Sequence, residues 1–148
     1  MKKARYEYSA DEKLHYFVFT SVGIKGEVKK VVEYSEMNVN NFYNLSFGDY
    51  DEQSDTISDE VITNNGDSLK VLTTVASTVY AFTAKKPNAW IFATGSTEVR
   101  TRLYRMGITN NLFEIHEDFH VYEMKFDETF EEFVMGEDYI GFLVKRKK

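Results

Sequence analysis

The chain has 148 residues, 43% of them hydrophobic and 16% aromatic, which suits a single domain over 1–148 and excludes a disordered chain. Its zero cysteines exclude a disulfide scaffold, thiol catalysis and thiolate metal sites. With 18 basic and 24 acidic residues the net charge is −6, which argues against broad binding to nucleic acid or to a membrane surface.

The first predicted element is Leu14-His15-Tyr16-Phe17-Val18-Phe19-Thr20, apolar at nearly every position, as in a strand covered on both faces. Gly23 and Gly26 punctuate a turn, and Glu27 to Tyr34 reads as its partner strand. A third strand, Phe42 to Phe47, completes an antiparallel meander that ends at Gly48-Asp49. His15, set among apolar neighbours, is expected to be a hydrogen-bonded core or face histidine. Residues 49–60 hold six acids and no base and read as an exposed loop, with a short strand at Val61-Ile62-Thr63 after it. Within it Asp49, Asp51, Asp55 and Glu60 fall at positions 1, 3, 7 and 12 of a calcium loop. Ser54, however, occupies the position where that loop needs glycine.

A helix follows. Asn64-Asn65-Gly66-Asp67 supplies turn and cap chemistry, with Asp67 or Asn65 placed to accept from first-turn amides. Leu69, Leu72, Val75, Ala76, Val79 and Phe82 then share one face, and Lys85, Lys86 and Pro87 end the run. Trp90 to Thr94 is a short buried strand closed by Gly95. Ser96 or Thr97 caps a second helix carrying Arg100, Arg102 and Arg105, with Gly107 as its stop. His120 to Phe126 alternates as a strand, Glu128 to Val134 is expected to be a short helix, and Tyr139 to Val144 a closing strand. The order β-β-β-α-β-α-β-(α)-β makes the fold class α+β, with an antiparallel or mixed sheet and two main helices.

Two constellations offer chemistry. Both main helices are expected to open on a polar, glycine-bearing turn that follows a strand, so Asn65, Gly66, Gly95, Ser96, Thr97 and Arg100 are the candidate ligand-binding residues. Backbone amides and the helix dipole favour an anion there, and Arg100 adds a fixed charge. The plainer alternative makes the glycines turn residues and the arginines a solvated flank. The second constellation, His116-Glu117-Asp118-Phe119-His120, matches H-E-x-x-H, which on one helix would bind zinc. His120 is expected to start a strand, though, and an extended chain would hold the two imidazoles about 13 Å apart. Glu123 and Glu132 are the nearest third ligands. Arg100, Arg102, Tyr104, Arg105 and the Lys145–Lys148 tail make a local nucleic-acid patch conceivable, but the net charge disfavours it.

The runs Phe47-Gly48-Asp49, Asn64 to Val75, Gly95-Ser96-Thr97, Arg100 to Arg105 and Tyr139 to Leu143 together resemble a family of small uncharacterised bacterial proteins. That resemblance spans most of the chain and implies no activity. More distantly, Asn65-Gly66-Asp67-Ser68-Leu69 and Leu103-Tyr104-Arg105-Met106-Gly107 look like two elements of the Gcn5-related N-acetyltransferases. This likeness implies a coenzyme A pyrophosphate on the first helix start and Tyr104 as general acid. The chain departs from that family in having one glycine in the loop and an acid, Asp67, where phosphate would approach. On these grounds the expected protein is a cytoplasmic, non-catalytic module for a small anionic ligand or a protein partner. It needs no cofactor, no membrane and no nucleic acid. The alternative is an acyl-coenzyme A-dependent transferase.

Overall fold

The computed structural model describes residues 4–58, 63–94, 102, 105–109, 111–134 and 139–147. Strands β1 (Ser9–Ala10), β2 (Tyr16–Gly23), β3 (Gly26–Glu36), β4 (Phe42–Asp51) and β5 (Thr56–Ile57) precede helix α1 (Ser68–Lys85). Then come β6 (Trp90–Thr94), a helical stretch that includes 105–109 (α2), helix α3 (Leu112–Asp118), β7 (Phe119–Met124), β8 (Phe130–Glu132) and β9 (Gly141–Arg146). The strands form one mixed sheet in the order β1-β2-β3-β4-β6-β9-β7-β8, with β5 turned back on β4. The α+β class therefore holds. Among the described residues no helix is long and apolar enough to cross a membrane.

The sheet is antiparallel except where β6 lies parallel to β4. A parallel neighbour needs a crossover, and α1 supplies it. The parallel pair meets only at its start, Phe42–Asn44 against Trp90–Phe92, while β4 runs on to Asp51. Strand β9 then enters between β6 and β7, with Ile91 opposite Val144 and Val121 opposite the same valine.

Period-two alternation decides which side of the sheet is core. Phe17, Phe19, Val32, Tyr34, Leu45, Phe47 and Ile91 are buried against the helices. Phe82 of α1 anchors this side, stacked on Tyr34 at 4.3 Å and edge-on to Tyr43 at 5.0 Å. Both α1 and the later helices lie on this face, because Leu72, Ile108 and Ile115 meet Leu45 and Phe142 around one space. Strand β2 is thus covered on one face only: Phe17, Phe19 and Ser21 are buried, Thr20 is exposed, and Tyr16 and Val18 are half-buried. The all-apolar run that suggested two covered faces carries its outward residues on the side where the described residues place no helix.

Several expectations change. The acidic stretch is not one exposed loop: Asp49 to Asp51 continue β4, and Thr56–Ile57 turn back as β5. Asp59, Glu60, Val61 and Ile62 lie outside the described residues. Gly107 does not stop the second helix, which continues through residue 109, and α3 follows at once behind Asn111. The helix expected over Glu128–Val134 is instead β8, paired with β7 from Tyr122–Glu132 to Met124–Phe130. Here Asp127 accepts hydrogen bonds from the Thr129 amide at 3.1 Å and its hydroxyl at 2.6 Å, a side-chain turn that starts a hairpin.

Candidate functional site

The start of α1 sits at the mouth of a cleft of about 220 Å³. Its lining includes Asn65, Asp67 and Ser68 from the helix start, Lys30 and Phe47 from the sheet, and Arg102. Of the candidate ligand-binding residues, Asn65 lines this cleft and Gly66 follows it in the same loop without lining it, while Gly95, Ser96, Thr97, Arg100 and Tyr104 lie outside the described residues. Arg102 is exposed.

The loop that carries the helix start is clipped to the β2–β3 hairpin. Asn65 is 1% exposed, and its side chain is fully engaged. Its Oδ1 accepts from the Lys25 amide at 2.6 Å, and its Nδ2 donates to the Gly26 carbonyl at 2.9 Å and to Ser21 Oγ at 3.2 Å. The Asn65 carbonyl accepts from the Ile24 amide at 3.2 Å. A side chain at Gly23 would place its Cβ 1.9 Å from that carbonyl, so the close approach requires glycine. Gly66 follows with φ +79°, the left-handed region, and its amide donates to Asn64 Oδ1 at 3.0 Å.

Asp67 occupies the N-cap position, but its side chain makes no cap hydrogen bond. Tyr6 Oη donates to Asp67 Oδ2 at 2.5 Å, and Ser21 Oγ donates to the same oxygen at 2.6 Å. Two hydroxyls from the N-terminal segment and β2 have drawn the carboxylate away from the helix. The expected cap by Asp67 or Asn65 is therefore not formed, because both side chains find donors on the hairpin. The first turn of α1 carries no acidic residue. Burial, and then the bond to Asp67, raises the Tyr6 phenol above its ordinary value, which keeps its proton on this network.

Under the cleft lies a buried ion pair that chain-order reading missed. Lys30 Nζ, 1% exposed, donates to Asp49 Oδ1 at 2.5 Å and to the Thr63 carbonyl at 2.9 Å. Asp49 Oδ2 accepts from the Thr63 amide at 2.9 Å. The signal was present in the alternation: counting back in twos from Tyr34 and Val32 puts Lys30 on the core face. Counting on from Leu45 and Phe47 puts Asp49 there too. The calcium frame loses its first position to this pair, and among the described residues no group of His, Asp or Glu is placed to hold a metal.

The H-E-x-x-H stretch is split. Helix α3 ends at Asp118 and Phe119 is extended, so His116 lies on a helix and His120 on a strand. His116 is therefore not in an extended chain, but the strand expected at His120 is present and the two histidines do not share a helical face. Both line a separate cavity of about 200 Å³ with Glu132 and Lys147. Glu123 is turned away from it, fully buried, and accepts from the Val134 amide at 3.1 Å. His15 is half-buried and packs its ring against Tyr43 and Phe82, but the expected hydrogen bond is not seen at its buried Nε2, which has no partner among the described residues.

The chain belongs to a family of unknown function, DUF6934, whose model matches residues 2–147. That match bears out the resemblance to a family of uncharacterised proteins. No curated protein and no solved structure matches the chain.

Proposed function

We propose that this member of DUF6934 is a non-catalytic binding module, taking a small anionic ligand or an anionic group of a protein partner in the cleft at the start of α1. The observation that carries this reading is the orientation of Asp67. Its carboxylate is held by Tyr6 and Ser21, so the first turn of α1 faces the cleft with no side-chain cap and no acid of its own. First-turn amides that the Asp67 side chain does not cap, and the positive end of the helix dipole, favour an anion. Arg102 lines the same cleft, and Gly95, Ser96, Thr97 and Arg100, which shortly precede it in the chain, are proposed from the sequence as the rest of the ligand set. Asn65 and Gly66 shape the loop: the Asn65 side chain holds the wall in place and leaves ligand contact to backbone amides. The cysteine-free composition fits a cytosolic setting.

The test is an amide titration of the full chain with inorganic phosphate and pyrophosphate. The Ser68, Leu69 and Lys70 amides should shift together, and Arg100→Ala and Arg102→Ala should each weaken binding about tenfold. Melting temperatures should stay where they are. Unmoved first-turn amides at saturating pyrophosphate would sink the reading.

A second reading, an acyl-coenzyme A-dependent N-acetyltransferase, is favoured by one observation. The parallel strands β4 and β6 pair only at their starts, and a sheet open beside the 64–69 loop is what that activity requires. Coenzyme A binding much tighter than pyrophosphate, together with acetyl transfer to an amine, would favour it over the first.

A further inference from the structure

We infer that the side of the sheet opposite α1 is a docking surface for a second copy of this chain. The inference is independent of the cleft reading, because the cleft lies on the helix side. Strand register sets what the outer side carries. Trp90 pairs with Phe42 and Lys145, Phe92 and Tyr122 both pair with Leu143, and Tyr122 and Met124 pair with Glu132 and Phe130. Cross-strand partners share a face. The alternate residues Ile91, Phe119 and Phe142 turn the other way, into an apolar cavity of about 90 Å³ between the sheet and the helices, which Leu72 also lines.

The rings on the outer side touch one another. Phe42 and Trp90 stack at 5.6 Å, Trp90 meets Tyr122 at 6.2 Å, and Phe92 meets Phe130 at 6.1 Å. Strand β9 lies between the second pair, and β9 and β7 between the third. Strands stand about 4.8 Å apart, so these rings lean toward each other over the intervening strands. The result is one continuous aromatic surface rather than scattered side chains. It is not covered: Phe42, Trp90, Phe92 and Tyr122 are half-buried and Phe130 is 47% exposed. A contiguous apolar patch with aromatic residues at its centre marks a protein–protein interface.

The charges at the margin choose the partner. Lys145 Nζ stands 5.6 Å from the centre of the Trp90 ring, and Glu132 lies on β8, two strands away from β9. A surface with a base at one margin and an acid at the other is complementary to itself. A two-fold axis that sets Lys145 against the partner's Glu132 also sets Glu132 against the partner's Lys145. A single nucleic-acid strand could stack on the same rings, but it would meet Glu132 and a chain of net charge −6.

Trp90 is the chain's single tryptophan, so its emission reports on this face. Sedimentation of the full chain from about 1 to 500 µM should show a monomer–dimer equilibrium. Trp90 emission should move to shorter wavelength over the same range. Phe130→Ser and Lys145→Glu should each weaken the dimer about tenfold, and Lys145→Glu with Glu132→Lys should restore it to within about threefold. Thr20→Glu, at an exposed outward position on β2, should change nothing. A monomer at every concentration overturns the inference, and so does a dimer that leaves Trp90 emission unmoved or tolerates both single substitutions. Failure of the charge swap to restore the dimer also overturns it. A monomer whose Trp90 emission is quenched by oligodeoxythymidine would assign the face to nucleic acid instead.

Discussion

The two ends of α1 are treated in opposite ways. At the C-terminal end Arg146 of β9 donates to the Tyr80 carbonyl at 2.9 Å and to Thr83 Oγ1 at 3.1 Å, with its guanidinium over the rings of Tyr80 and Phe119. Lys85 adds a hydrogen bond to the Glu12 carbonyl. The end of the helix that carries partial negative charge is met by cations and closed against the sheet. At the N-terminal end the nearest carboxylate is committed elsewhere, the loop is clipped to a hairpin, and the first turn is left facing a cleft. Strong polar bonding occurs at both ends. At one it ties the helix to β9; at the other it holds the surroundings so that the helix stays without a side-chain cap.

This contrast makes the N-terminal scaffold the costlier place to disturb. Lys30→Met strands Asp49 as a buried charge and should cost about 3 kcal/mol or more in urea denaturation. Lys30→Met with Asp49→Leu should recover most of that loss. A single-variant cost near zero would mean the pair is solvated and does not hold the cleft floor. Asn65→Ala removes three side-chain hydrogen bonds at a buried site and should cost about 2 kcal/mol. Hydrogen exchange at the Lys25 amide should quicken at the same time, since its acceptor is gone.

At the closed end the expected effects are smaller. Tyr80→Phe loses the bond to Asp118 and should cost about 1 kcal/mol at neutral pH. Burial, then the Asp118 carboxylate, raises the Tyr80 phenol well above its ordinary value near 10. The unfolded chain therefore releases this proton first. The associated stability is complete below about pH 10 and declines as pH rises toward the raised folded value. Melting curves across that range should fall less steeply for Tyr80→Phe. Some slope should remain, because Tyr6 and Tyr16 are also raised and Tyr50 is pushed up to about 12 by its hydrogen bond to Asp55. Smallest in stability is Arg102→Ala, within about 0.5 kcal/mol because the side chain is exposed. If it instead destabilised the fold by several times that, the arginine would be a structural strut and the two ends of α1 would differ less than they appear on geometry.

Local signals were legible where they were long or punctuated. Helix α1 runs Ser68–Lys85 and β6 runs Trp90–Thr94, both as read from apolar spacing and from Pro87 between them. Short elements were not legible. Strand β8 has three residues, too few for alternation to outweigh the helical preference of its glutamates. Helix α3 has seven and begins right behind another helix. At the site, the position of the Asn65-Gly66 loop was readable but its hydrogen bonds were not.

What the amino-acid order determined alone is therefore the class of the fold, the meander, the main helix and a polar, glycine-bearing start to it. Propensity, capping and periodicity act over a few neighbours, and those neighbours are present in the chain. Tertiary structure decided where Asp67 points, since its donors Ser21 and Tyr6 lie 46 and 61 residues away. It also decided that Lys30 faces Asp49, which depends on strand register, and that the cleft at the start of α1 and the apolar cavity share Leu72. A side chain with several possible partners goes to whichever donor or acceptor the packed fold brings within reach, and that choice is made only when distant segments meet.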